Sequence, residues 1–262
     1  EELSLRIDYE SALQEAKITL DILRKDEDLR QRIQKIKACV TGPFTLASQI
    51  YLKLEGSMRS TALSELDMIE KLADYVYILA YNMVDLGYEY VVVDEPMLSV
   101  IVGTKRIMFD YTTDDIIDVL NRIAKRINID MGIHVCGKIS GLLSETLAQT
   151  EFKILDHEFA ATPSNFRTIT RRVLEDNDKF ISIGVISSSD PHIEGIEGVR
   201  RLILKGVEQY GIEHIAFVKP DCGFRGLKGK LDEEEAYKVS LEKLRILRRA
   251  RDIVAKELRI EI

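Results

Sequence analysis

The sequence predicts a parallel α/β fold of the (β/α)8 TIM-barrel type, with six of the eight strands present in the 262 residues given. Three observations predict it. Short apolar runs alternate six times with amphipathic helical stretches, the pattern of strand–helix–strand units in a parallel sheet. No linker or composition break interrupts the series, so residues 1–262 read as one domain. Polar residues gather where each apolar run ends, and a barrel builds its active site at the carboxyl ends of its strands. An open doubly wound sheet would usually carry a Gly-rich phosphate loop after its first strand, and none is visible here.

Taken in order, residues 8–37 read as a helix, with Ala12, Leu13, Ala16, Ile18, Leu20 and Leu23 at roughly helical spacing. Lys37-Ala-Cys-Val-Thr-Gly-Pro43 is a short strand ending in a turn, followed by a helix start over 44–52. A long helix is expected over 61–86, where Leu63, Leu66, Ile69, Leu72, Val76, Leu79 and Met83 form one stripe, and Gly87 suits the position just past its end. Tyr88-Glu-Tyr-Val-Val-Val-Asp-Glu-Pro96 is the clearest strand, a β-branched run of the kind buried on both faces. Thr112 or Thr113 caps a helix to about 127. The run 131–136 is the next strand, and a helix over 139–149 leads to the strand 153–159. Ser164 opens a helix to 175, Phe180–Ile186 is a strand, and a helix over 197–210 stops at Gly211. His214 to Gly223 contains the last strand. Asp232, with Glu235 three residues on, suits a capping box for a closing helix to 258.

A net charge of −7, with both signs interspersed along the helices, argues against a nucleic-acid partner or an anionic membrane surface, which would select a basic patch. No apolar run approaches the roughly 20 residues of a membrane span. With no such run and no signal peptide a cytoplasmic location is expected, and three cysteines are too few and too scattered for a disulfide framework. The start, Glu1-Glu-Leu-Ser, is neither a signal peptide nor an initiating methionine. Together with the count of six strands, it leads to the expectation that the true beginning lies further upstream.

The chemistry centres on Met131-Gly-Ile-His-Val-Cys-Gly-Lys138. Residues i and i+2 of a strand share a face, so His134 and Cys136 converge at the strand end as two soft metal ligands. In Ile154-Leu-Asp-His-Glu-Phe159, Glu158 has the parity expected to face the interior and is the third candidate, with His157 as runner-up. Cys222, directly after Lys219-Pro-Asp221, is the fourth. Cys39 is expected to be ordinary core, and His192 and His214 to lie at the surface or behind the ligands. Asp94-Glu95-Pro96 ends a buried strand, where two adjacent acids are costly unless used. Capture of a substrate ammonium group is the functional reading, and a helix cap or buried ion pair is the alternative.

Together, Thr41-Gly-Pro43, Asp94-Glu-Pro96, His134-Val-Cys136, Glu158 and Pro220-Asp-Cys-Gly223 resemble the catalytic C-terminal barrel of the cobalamin-independent methionine synthase family, in its short archaeal form. The resemblance runs from about residue 37 to the C-terminus. It implies a TIM barrel binding one zinc through His134, Cys136, Glu158 and Cys222. It also implies that Asp94, beside Glu95, holds the homocysteine amino group, and that methyl transfer to the homocysteine thiol forms methionine. The family's first two barrel strands, with their Gly-Ser and Gly-Glu segments, have no counterpart here. Ser189 stands where full-length members carry a proposed proton-donating histidine, which directs attention to Asp190 and His192. The donor implied is methylcobalamin or a methylated corrinoid protein, with a methyl-folate or methyl-pterin as the competing choice. The alternatives are a zinc methyltransferase for another thiol, of the coenzyme M type, and a non-catalytic zinc-binding remnant.

Overall fold

The computed structural model describes residues 9–54 and 56–260. Six parallel strands form one sheet in sequence order: β1 (Lys37–Thr41), β2 (Tyr90–Asp94), β3 (Gly132–Val135), β4 (Ile154–Glu158), β5 (Phe180–Ile186) and β6 (Ile215–Pro220). Among the described residues, β1 and β6 are the two edges of the sheet. The sheet is nevertheless strongly curled. Tyr90 on β2 and Phe217 on β6 meet across its concave side with ring centroids 5.0 Å apart.

Strand alternation divides the side chains between two environments. Val91, Val93, Ile133, Val135, Leu155, Ile181 and Ile183 pack into the main apolar core under the helices. The opposite parity faces the concave side and carries the polar residues. Register aligns them: Thr41 pairs with Asp94, Asp94 with His134, His134 with Asp156, and Asp156 with Ser182. The chemically useful side chains therefore form a row across neighbouring strands, set by the ladder itself.

The helices broadly follow the sequence reading, but the helix expected over 61–86 begins only at Leu66, after a separate 3-10 turn at Ala62–Ser64, and a short helix at Pro96–Ile101 has no counterpart in it. The single helix expected over 8–37 is three pieces, Tyr9–Ala12, Gln14–Lys25 and Glu27–Arg32; residue 8 lies outside the described residues. Asp26 breaks the run because its carboxylate accepts from Leu29 N–H at 2.8 Å and starts a new helix. The helix expected from Ser164 divides into Asn165–Thr168 and Arg171–Asp176, because Thr170 takes the cap position for the second. The helix expected over 44–52 is only Pro43–Ala47. Elsewhere the end signals agree. Gly87 is left-handed (φ 107°) after Leu66–Leu86, Thr112 and Asp115 form a reciprocal capping box, and Asp232 accepts from Glu235 N–H at 2.8 Å ahead of Glu233–Leu258.

Candidate metal centre

His134, Cys136 and Cys222 come together at the carboxyl ends of β3 and β6. His134 Nε2 lies 3.0 Å from Cys136 Sγ and 3.1 Å from Cys222 Sγ, and the two sulfurs are 2.8 Å apart. This is the one group of three or more potential ligands found within 4.8 Å of one another among the described residues. Two thiols and an imidazole are a donor set that suits zinc.

Protonation within the group is already biased. A hydrogen bond from Cys136 lowers the Cys222 thiol, with His134 adding to the effect, while Cys136 is pushed up. Burial disfavours a charge on His134, but its hydrogen bonds to Asp156 and Cys222 outweigh burial and push it up to about 9. A metal ion would displace these protons.

A residue not singled out in the sequence stands behind the histidine. Asp156, 1% exposed, accepts from His134 Nδ1 at 2.7 Å and is paired with Lys219 Nζ at 2.7 Å and Lys37 Nζ at 3.6 Å. Burial opposes its ionisation, yet these cations hold its carboxyl well below the usual range. Its parity, shared with Glu158, was a usable signal.

The cluster opens on a cavity of about 560 Å³ whose walls include Asp94, Lys37, Lys219 and Cys39. Burial raises the Asp94 carboxyl, and no described residue donates a hydrogen bond to it. Contrary to the expectation from the sequence, Cys39 is not core. It shares the parity of Lys37 and lines the cavity.

The remaining candidates lie apart from the cluster. Glu158 is outside the three-residue group, and its Oε1 accepts from the Thr162 hydroxyl. His157 is fully buried on the helix-facing side, its Nδ1 3.2 Å from Val135 O. Glu95 is also fully buried and accepts from Phe44 N–H (2.8 Å), Thr45 N–H (2.9 Å) and the Thr45 hydroxyl (2.7 Å). Asp94 is thus the acid of this pair that faces the cavity. Asp190 and His192 are exposed on the loop after β5, where Asp190 Oδ1 accepts from His192 N–H at 2.9 Å. His214 is half-buried beside Lys179 O.

Three buried polar side chains fasten the strand ends that carry the site. Glu95 ties the end of β2 to the first turn of the helix Pro43–Ala47 after β1. Asn165 accepts from Ile139 N–H (3.0 Å) and donates to Gly137 O (3.0 Å) and Glu158 O (2.8 Å), joining the ends of β3 and β4. Asp221, next to Cys222, accepts from Phe159, Ala160 and Ala161 N–H at 3.0, 3.1 and 2.8 Å, joining the end of β6 to the loop after β4. Gly42 and Gly184 make room for this, since a Cβ would fall 2.3 Å from Glu95 Oε1 and 2.4 Å from Asp221 Oδ1 respectively.

Fold and cluster together define a parallel α/β barrel-type protein with a candidate metal centre at its strand ends. Residues 9–240 match the family model of the cobalamin-independent synthase catalytic domain, and the chain belongs to that family. A methionine synthase of Methanothermobacter marburgensis is 31% identical over 223 residues, covering 83% of this chain and 63% of that protein. One from Methanothermobacter thermautotrophicus is 33% identical over 198 residues, covering 74% and 58%. The chain thus spans less than two thirds of the length of these curated relatives. Among solved structures, a B12-independent methionine synthase from Shewanella sp. W3-18-1 in complex with selenomethionine superposes with a TM-score of 0.66 at 20% identity, over 90% of this chain and 67% of that one. This likeness gives the fold: six strands of a (β/α)8 barrel. Among the described residues, no helix is long and apolar enough to cross a membrane.

Proposed function

We propose that this chain is a zinc methyltransferase module that moves a methyl group to the thiol of L-homocysteine, giving methionine. The observation that carries the reading is the convergence of His134 Nε2 and the sulfurs of Cys136 and Cys222 within 3.1 Å at the mouth of a cavity. His134, Cys136 and Cys222 would hold the zinc, with Glu158 as fourth ligand once its carboxylate leaves Thr162. When bound, zinc supplies a Lewis acid that keeps a substrate thiol ionised at neutral pH.

The chain's own residues account for the rest. Asp94 offers a cavity-facing carboxylate with no hydrogen bond from a described residue, which suits a substrate ammonium group and so favours an amino-acid thiol over a sulfonate thiol. The strand ends fastened by Glu95, Asn165 and Asp221 hold ligands and substrate in a fixed relation, which is where much of the rate of a two-substrate transfer originates. The new S–C bond forms as the carrier–methyl bond breaks, with the electron pair of that bond staying on the carrier and the thiol proton leaving to solvent. The donor is a methylated corrinoid or a methyl-pterin or folate. A role for Asp190 or His192 in proton transfer requires their loop to fold over the cavity.

The test is zinc content and methyl transfer to homocysteine, with methylcobalamin and with methyl-folate as donors. Cys222→Ser should lose zinc and activity together. Full activity in zinc-free protein would overturn the reading.

A further inference from the structure

Resting on the zinc reading above, we infer that Asp156 is the positioning residue of the metal centre: it fixes the His134 ring so that Nε2, and not Nδ1, is presented to the metal. His134 and Asp156 are register partners on adjacent strands, so their relation is set by the sheet ladder rather than by a loop. Asp156 Oδ1 accepts from Nδ1–H at 2.7 Å, and the Asp156 carbonyl lies 3.1 Å from the same nitrogen. Both acceptors demand a proton on Nδ1. That leaves Nε2 as the nitrogen that can give up its proton to a metal, and Nε2 is the atom facing both sulfurs. A carboxylate behind a ligating histidine orients the ring and raises its basicity.

Two cationic side chains face the same carboxylate and hold it in place. Lys219 Nζ, itself held by the carbonyls of Pro220 (3.1 Å) and Asp221 (2.8 Å), contacts Oδ1. Lys37 from β1 faces Oδ2. A simple structural ion pair between Asp156 and Lys219 would have no need of an imidazole at 2.7 Å. The arrangement therefore runs in sequence: two lysines hold the carboxylate, the carboxylate holds the ring, and the ring faces the metal position. Lys219 also sits three residues before Cys222, so the element that charges Asp156 delivers a ligand as well.

The test is a double-mutant cycle read as zinc affinity, by competition with a chromophoric chelator. Asp156→Asn keeps the shape but removes the charge and the demand for Nδ1–H. In the wild-type background it should weaken zinc roughly 10–100-fold. In a His134→Ala background the same change should cost less than about threefold, because Asp156 would act only through His134. Equal losses in both backgrounds, or no loss in the first, would overturn the role of Asp156 while leaving the zinc reading intact. A wild-type protein that binds no zinc would overturn both. Should Asp156→Asn fail to fold, 15N spectra of zinc-loaded wild-type protein decide: the inference requires a proton on His134 Nδ1 and none on Nε2, and the opposite pattern overturns it.

Discussion

Gly184→Ala is the sharpest probe of how the site is fastened. Gly184 is in β5, opposite Glu158, with no positive φ, so alanine brings no backbone strain there. A Cβ would lie 2.4 Å from Asp221 Oδ1, 2.7 Å from Asp221 Cα and 3.1 Å from Glu158 Cα. Ordinary contact begins at 3.4 Å, so the carboxylate must retreat by about 1 Å and two backbone segments must part. Overpacking of a tight site costs about 1–3 kcal/mol. The upper end applies here, since backbone cannot rotate away and Asp221 would be driven off its three N–H donors. A loss of about 3 kcal/mol should lower the melting temperature by roughly 6–12 °C in a chain of this size, measured by circular dichroism at fixed protein concentration. Zinc affinity should fall with it, because the displaced segments carry Cys222 and Glu158. Gly198→Ala is the control. Gly198 lies within the helix Ile196–Tyr210, where a Cβ meets nothing within 4 Å, and helix propensity predicts a gain of up to about 1 kcal/mol. If Gly184→Ala melts within 2 °C of wild type and keeps its zinc affinity, the fastening argument is wrong.

Two other predictions concern the acids at the end of β2. Burial outweighs the three hydrogen bonds of Glu95 and pushes its carboxyl up to about 7 from 4.5. A carboxyl raised on folding contributes stability below its unfolded value and loses it as pH rises through the folded one. Between pH 4.5 and 7 the wild type should therefore lose on the order of 3 kcal/mol relative to Glu95→Gln in urea unfolding, and parallel pH profiles would contradict this. Asp94→Asn should leave zinc content unchanged and raise the KM for homocysteine roughly tenfold or more, the worth of one charged hydrogen bond. A variant with unaltered KM would remove Asp94 from substrate binding.

Much of this was legible in the sequence because strand parity is a strict rule. His134 and Cys136 had to share a face, and Glu158 and His157 had to part. Cys222 was visible because it follows a strand end directly. The helix breaks at Asp26 and Thr170 were missed because a capping side chain wins locally over an apolar stripe that continues past it. Cys39 was misread for another reason. Its run, Lys37-Ala-Cys-Val-Thr41, alternates burial, and the inward half lines a polar cavity rather than apolar core. Asp156 had the right parity, but parity only places a side chain on a face. That it meets Nδ1 of His134 follows from strand register, which no local pattern encodes. The same holds for Glu95, Asn165 and Asp221, whose partners lie 51, 26 and 62 residues away.

The two faces of the sheet divide the work of the chain, and this division makes the site separable from the fold. On the helix side, Val93, Ile133, Val135, Leu155 and Ile183 are fully or almost fully buried in one continuous core, so truncations there cost stability through lost burial and leave the donor set untouched. On the concave side, Asp94, His134, Cys136 and Cys222 border a cavity, and their replacement alters chemistry with little packing lost. Glu95, Asn165 and Asp221 belong to neither class. Each is buried, each links two strand ends through hydrogen bonds to backbone groups, and each neighbours a residue of the site or accepts from its loop. Changes at these three positions, or at Gly184 packed against Asp221, should therefore move stability and metal affinity together, whereas changes to the core side chains or to the ligands themselves should move only one.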